Sequence, residues 1–522
     1  NDNPANHGSD VVYHLSVRDP YALVRSGAVV VVAGRMKTED KVQDNIYNTT
    51  NAVYEFAKEH GCAPEQIYYL APDDTLDADG DGQPDVNAAA TRDNLKDAVT
   101  KWAAGKVTSD KALTVYLMDH GEYDTLYLDK PNGEWITPTA LSGWLSQLEN
   151  AVPGVPINVI VEACKSGSFI DPQNQVSQIS EGKRVVIAST HPQQLSYASK
   201  KGSAFTDVFL NSLKLGVSLQ RAFEDGAQAL IQSHPDQIPW LDDNGNGLAN
   251  EPADGEQAAQ RGFICDWTTG ISETPPQIVQ ADITVDAGGL GIRAQIWDDD
   301  AVDEAWAVVY PPSWRPPTSG DTIIQEPLPI TLHDQGNGEY GGLYGNQSET
   351  GVYRVVIYAK NNKGLLAQPK DVRITLNGDA VTPDALPARL EIPIGNLTTT
   401  VQIPSGAFTA TTTFTHTGFT DLGASPDLAG FEFAGRRFTL DAYQYGVLRP
   451  HFTFSRSITI TVRYSDADVA LLDESTLGLW WLDDTTWRTD GLTITQRLPA
   501  RNELVVRAAH LTAFGLFGEK SE

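Results

Sequence analysis

Between residues 28 and 232, short apolar runs alternate with longer stretches whose apolar residues recur with a helical period. Runs that are apolar throughout fit strands covered on both faces, and the amphipathic stretches fit the helices that cover them. The pattern therefore predicts an α/β domain with a mostly parallel sheet flanked by helices. Strands are expected at Ala28–Gly34, Gln66–Ala71, Ala112–Met118, Pro156–Glu162 and Arg184–Ser189. Helices are expected at Val42–His60, closed by Gly61, and at Arg92–Ala104, between Thr91 as N-cap and Gly105. A third is expected at Pro138–Asn150, where Thr137 caps and Pro138 fills the first turn, and two more at Ala204–Leu215 and Leu219–Gln232.

Past Gly270 the helical period disappears. Ser272–Gln277, with Pro275-Pro276, reads as a linker. Strand-like segments bounded by Gly, Pro or Asp then recur at Ala281–Val285, Gly291–Trp297, Glu304–Tyr310 and Gly351–Tyr358. The segment "TGVYRVVIYAKNNKG" resembles the closing strands of an immunoglobulin-like domain. A second turn-rich stretch, Asn377–Pro387, precedes a Thr-, Phe- and Val-rich region with strands at Thr409–Phe414, Ser457–Tyr464, Leu477–Leu482 and Leu511–Gly518. The expected organisation is an N-terminal extension or propeptide remnant over 1–24, an α/β domain over 25–270, an immunoglobulin-like β-sandwich over 275–377 and a second β-sandwich over 385–520. Trp480, Trp481 and Trp487 read as core or cross-strand residues of the last domain rather than as a carbohydrate platform.

Composition narrows the classes of function. The chain has 522 residues, 41% apolar and 20% charged, as expected of packed globular domains. Its 38 basic and 68 acidic residues leave a net charge of −30, without a basic cluster, which argues against nucleic acid as a partner. No run reaches the roughly 18 apolar residues a membrane-spanning helix needs. The start at Asn1 suggests a mature or trimmed form, and with the acidity it leads to the expectation of a secreted or cell-surface protein. The cysteines are three, Cys62, Cys164 and Cys265, too few for a disulfide framework. Cys62 and Cys265 flank the α/β domain, and pairing between them is one arrangement that sequence leaves open.

Cys164 sits differently. Two apolar strands end in reactive residues: "ALTVYLMDHG" places His120 just past one, and "INVIVEACKSGSF" places Cys164 just past the next. Both emerge at the carboxyl edge of the sheet, where open α/β folds hold ligands. A thiol needs a neighbouring imidazole to become thiolate near neutral pH, and the same imidazole can protonate a leaving amine. Gly121 and Gly167 let backbone approach a substrate there, and the amides of Gly121 and Cys164 are the expected oxyanion hole. His191 and His510 have no cluster that would suit zinc and read as structural.

Two acidic loops suggest cations. "DADGDGQPD" sets Asp77, Asp79, Asp81 and Asp85 on a tight loop in the manner of a calcium loop, although position 12 is Ala88 instead of the usual bidentate Glu. "DDNGNG" repeats the theme with Asp242, Asn244 and Asn246, and Glu251 or Asp254 to complete it; an exposed Asn/Gly turn is the alternative. "WDDD" at Trp297–Asp300 reads as an acidic strand-end turn. The expected cofactor is structural calcium, with no organic cofactor.

The segments "VVVVAG", "YLMDHG" and "VEACKSGSF" resemble, in order and spacing, the core motifs of the legumain family within the caspase-like cysteine peptidases. "VVIASTHPQQLSYA", with Ser196-Tyr197-Ala198, is similar to the family's following segment, and the resemblance covers roughly residues 25–232. It implies a caspase-like sheet, a cysteine endopeptidase acting on peptides or proteins through a thioester, His120 as acid/base, Cys164 as nucleophile and Gly121 in the oxyanion hole. It also implies Glu162 as an acidic wall of the S1 pocket, with Ser196 lining it. The family's Arg-His pair after the first strand has no counterpart in "TEDKVQDNIYN", so a P1 Arg or Lys, held by Glu162 with Asp44 or Asp207, competes with Asn. Relatives of this fold also join peptides, so a transpeptidase or ligase is an alternative. A cell-surface adhesin with an inactive α/β domain is a second, opposed by the presence of both His120 and Cys164.

Overall fold

A computed structural model describes residues 23–171, 179–266, 274–286, 289–317, 320, 322–345, 351–376, 378–422, 425–444, 447–483 and 486–521. Of the expected extension over 1–24 only residues 23 and 24 are among them, and the linker Ser272–Gln277 is described from Thr274 onward.

The α/β domain runs in the order β1 (Arg25–Ala33), α1 (Gln43–Glu59), β2 (Ile67–Leu70), α2 (Arg92–Asp97), β3 (Lys111–Met118), β4 (Gly121–Glu122), β5 (Thr125–Asp129) and β6 (Glu134–Ile136). It continues with α3 (Pro138–Ala151), β7 (Ile157–Glu162), β8 (Arg184–Ala188), α4 (Ala204–Lys214), α5 (Leu219–Ser233) and β9 (Trp240–Asp242). The main sheet has the order β2-β1-β3-β7-β8-β9, parallel except for β9. Its uniform apolarity is explained by two cores. Val29, Val31 and Ala33 pack with α1, α4 and α5 residues such as Ile46, Phe205 and Leu230. Ala28, Val30 and Val32 pack on the other face with Leu95 of α2 and Leu141, Leu145 and Leu148 of α3. Thr91 and Thr137 cap their helices as expected, accepting from the amides of Asn94 and Ala140.

The structure departs from expectation in three places. The helix expected over Arg92–Ala104 is α-helical only to Asp97. A π turn follows over Ala98–Trp102 and a 3₁₀ turn to Gly105, which turns Ala103 inward while Trp102 lies edge-on against Tyr68. The polar stretch after β3 folds into a small antiparallel sheet, β4-β5-β6, whose strands are too short to show a period. The edge strand β9 is likewise brief.

The second domain contains β10 (Gln277–Asp286), β11 (Gly289–Trp297), β12 (Val302–Tyr310), β13 (Ile330–Gly336), β14 (Glu339–Tyr344), β15 (Gly351–Asn361) and β16 (Lys370–Leu376). They pair antiparallel in the order β10-β11-β14-β13-β12-β15-β16, a nearly closed sheet around Leu290, Ile292, Val309, Tyr353 and Val355. In the last domain two antiparallel sheets face each other across Phe414, Phe438, Ile460 and Val506. Asn377–Pro387 is more than a linker. Gly378–Val381 forms a strand paired with Thr412–Phe419, so this sandwich begins before residue 385.

Cys62, just past α1, and Cys265, at the C-terminal end of the α/β domain, form a disulfide across a sequence separation of 203. Closing so long a loop removes much freedom from the unfolded chain. Replacing both by Ser is expected to lower the unfolding free energy by roughly 2–5 kcal/mol, measured by denaturant titration under non-reducing conditions.

Candidate active site

The site begins with strand register. β3 and β7 are adjacent and parallel, with Met118 paired to Glu162, and the Asp119 amide continues the ladder by donating to the Glu162 carbonyl at 3.3 Å. His120 and Cys164 each lie two residues past this last pair, so both leave the sheet at the same edge from neighbouring strands. Gly121 makes the approach tight: a Cβ there would lie 2.5 Å from the Cys164 carbonyl oxygen. Gly167 is a correction to the sequence reading, because it packs on Thr190 and Pro192 and not toward a ligand.

The imidazole of His120 is fully buried and bonded at both nitrogens. Nε2 meets the Asp40 carboxylate at 2.7 Å, and Nδ1 accepts from the Ile323 amide at 2.9 Å. An accepting Nδ1 puts the proton of a neutral ring on Nε2, directed at Asp40. Burial opposes the Asp40 charge, but hydrogen bonds from His120 and the Val42 amide, with the nearby charges of His120 and Lys37, hold its pKa below the usual carboxylate value. Asp119 behaves oppositely. It is fully buried, and desolvation drives its pKa well above the usual carboxylate range, with the nearby Asp40 charge adding to the rise. Asp40 was not singled out from sequence. Its signal is position alone: an acid in the loop leaving β1, at the sheet edge that holds His120.

Cys164 takes no part in the disulfide and is 1% exposed, and its sulfur accepts from the Ser196 amide at 3.3 Å. The chain turns away at once through Lys165, whose φ of 57° is unusual for a non-glycine residue. Ser166 then bonds Thr190 and anchors the turn to the end of β8.

Among the expected pocket residues, Glu162 is fully buried and uses both carboxylate oxygens, on the Ser196 and Thr206 hydroxyls at 2.7 Å each; here it is a brace rather than an open wall. Ser196 is thereby held beside Cys164. Asp207 accepts from the Ser199 hydroxyl and the Ser203 amide. Burial, with the Glu162 charge adding to it, pushes its pKa up to about 6. Asp44 is exposed in the first turn of α1, as a solvated helix-start acid. Glu162, Ser196 and Asp207 therefore cluster, and Asp44 stands outside.

The edge is covered. In the connection between β12 and β13, Ile324 bridges Tyr197 in parallel: its amide donates to the Ser196 carbonyl at 2.8 Å, and its carbonyl accepts from the Ala198 amide at 2.9 Å. Ile323 and Ile324 are 6% and 5% exposed and join the same apolar cluster as Cys164, Leu195 and Tyr197. Burying such side chains is worth about 1.5–3 kcal/mol each.

Of the acidic loops, Asp77, Asp79 and Asp85 each bring a carboxylate oxygen within 4.8 Å of the others. Lys58 pairs with Asp79, and Tyr54 donates to Asp85 at 2.6 Å. Asp81 directs its carboxylate to the Gln83 amide, away from that cluster. The second loop differs from the calcium reading. Asp242 spends its oxygens on the Gly245 and Gly247 amides and the Ser180 hydroxyl, while Asn244 and Asn246 bond Asp254 and Glu251, so the carboxylates serve the turn itself. His191 packs edge-on to Trp240, and His510 to Trp481, in keeping with structural roles.

Over residues 29–222 the chain matches the Peptidase C13 family. No curated protein matches the chain.

The Asp40–His120 bond has a pH signature. A carboxylate with a depressed folded pKa contributes fully above its unfolded value, about 4, and loses that contribution as pH falls through the depressed value. Asp40→Ala is expected to cost roughly 1.5–3 kcal/mol near neutrality, with the difference from wild type shrinking below about pH 4. Denaturant titrations across that range check it; a gap that stays constant with pH contradicts the pair.

Proposed function

We propose, taking residues 29–222 as a domain of the Peptidase C13 family and hence a cysteine peptidase of the legumain family, that the protein is a secreted endopeptidase working through Cys164 and His120. Nδ1 of His120 takes the thiol proton while Nε2 stays bonded to Asp40, which fixes ring and tautomer. The thiolate attacks the scissile carbonyl, and the amides of Gly121 and Cys164 hold the resulting oxyanion. His120 then protonates the departing amine and leaves a thioester, which water hydrolyses with the imidazole as base. The single observation that carries this reading is the register Met118 to Glu162, which brings imidazole and thiol to one edge from adjacent strands.

A cationic P1 side chain, Lys or Arg, is favoured over Asn. Glu162 and Asp207 are close enough for the charge of one to raise the pKa of the other, and a guanidinium or ammonium entering beside them would relieve that repulsion. Secretion is supported by the Cys62–Cys265 disulfide, which suits an oxidising compartment. Calcium is proposed for the loop of Asp77, Asp79 and Asp85 alone, as a stabiliser that would have to displace Lys58 from Asp79.

Four outcomes test these points. A positional peptide library is expected to be cut after Lys or Arg at least ten times faster than after Asn, with Cys164→Ala inactive; preference for Asn sinks the acidic-pocket reading. Asp40→Ala is expected to lower kcat/KM on the order of 10²–10⁴-fold, as loss of an imidazole-orienting acid does elsewhere. Product analysis with added amine nucleophile separates hydrolysis from peptide joining. Millimolar calcium is expected to raise the melting temperature of wild type but not of Asp77→Asn/Asp79→Asn.

A further inference from the structure

We propose that residues 322–326, carried by the second domain, are a built-in plug that holds the peptidase shut by taking both the substrate's strand position and the imidazole lone pair that Cys164 needs. The inference rests on the peptidase reading of the site and adds its regulation.

The chemical part lies at His120. A neutral imidazole has one lone pair, and with Nε2 turned to Asp40 that lone pair is on Nδ1, where the Ile323 amide donates into it at 2.9 Å. While this bond stands, the ring cannot accept the thiol proton, and Cys164 lacks its base. The geometric part lies on the edge Ser196–Ala198. The Ser196 carbonyl and the Ala198 amide, the groups an incoming extended peptide would pair with, are both bonded to Ile324. Closure completes the picture: with Ile323 and Ile324 seated, Cys164 and His120 are 1% and 0% exposed, so no peptide carbonyl can reach the sulfur.

The plug is clamped at its far end. Glu326 accepts from Tyr310 and is bonded to His234 Nε2 at 2.7 Å, and the Gln325 side chain donates to the Lys41 carbonyl at 3.2 Å. Its grip on the cleft is nonetheless small, a single bridged residue and one amide on the ring. It belongs to a connection between strands, so it can lift while both β-sandwiches stay folded. A device with few backbone bonds, two buried isoleucines and a detachable anchor suits reversible opening by a competing chain.

The test uses the full-length chain and a reporter independent of proteolysis. Cys164 lies outside the disulfide that holds the other two cysteines, so iodoacetamide reads access to Cys164 directly. Alkylation, followed by peptide mass, is expected to be at least ten-fold faster in Ile324→Asp and in Glu326→Ala than in wild type. Cleavage of a Lys/Arg peptide should rise in parallel. Glu326→Ala leaves the cleft residues intact and carries the test if Ile324→Asp does not fold, which circular dichroism reports. Equal alkylation rates in wild type and folded variants overturn the plug. Faster alkylation without any peptide cleavage upholds the plug and removes the peptidase reading instead.

Discussion

The lone pair on Nδ1 of His120 is the resource the rest of the site is arranged around. Three features act on it: the register of β3 and β7 sets His120 and Cys164 at one sheet edge, Asp40 directs the ring's proton to the far nitrogen, and the Ile323 amide occupies what is left. None of these works alone. Without Asp40 the tautomer is free to invert, and without the register the sulfur and the ring belong to separate surfaces. The strand pairing is the least adjustable of the three, because a slip in β3 or β7 would exchange two packed cores as well as separate the pair.

The parts of this arrangement legible in the sequence are those written in contiguous residues. Five apolar runs marked five parallel strands, and the position of His120 and Cys164 just past two of them was enough to place both on one edge. The caps Thr91 and Thr137 worked because a capping hydroxyl acts on its own helix within three residues. Asp40 and Ile323 follow no such rule. Their contacts with His120 span 80 and 203 positions, and the loop containing Asp40 offers Glu39 as an equally plausible acid. Long-range pairing of a loop acid with a strand-end histidine leaves no period or spacing behind.

Glu162 shows why a correctly located residue can still be misread. Its place two residues before Cys164 marked it as an acid at the site, which it is. Sequence could not show that Ser196 and Thr206 would each donate to it, with Tyr116 bonded in turn to Thr206, and so turn an exposed pocket wall into a buried brace. A buried carboxylate whose two oxygens each accept from a hydroxyl has its hydrogen-bonding needs met inside the fold. At Asp207, where burial already raises the pKa, the Glu162 charge adds to the rise.

The second domain matters because it is fixed to the first, and a plug is only as good as its mooring. Arg354 of β15 donates to the Gln232 and Ser233 carbonyls at the end of α5, Asn211 of α4 exchanges hydrogen bonds with the Leu366 backbone, and Lys200 pairs with Glu304. These contacts take a helix end, a helix face and a loop of the α/β domain, so they resist rotation about any single point. His234, at the same helix end, reaches Glu326 itself. The elements that hold the domains together thus lead directly to the segment over the cleft. Loosening the β12–β13 connection would free the imidazole, whereas loosening the domain interface would release both the connection and its anchor, which makes that interface the natural place for an activating event to act.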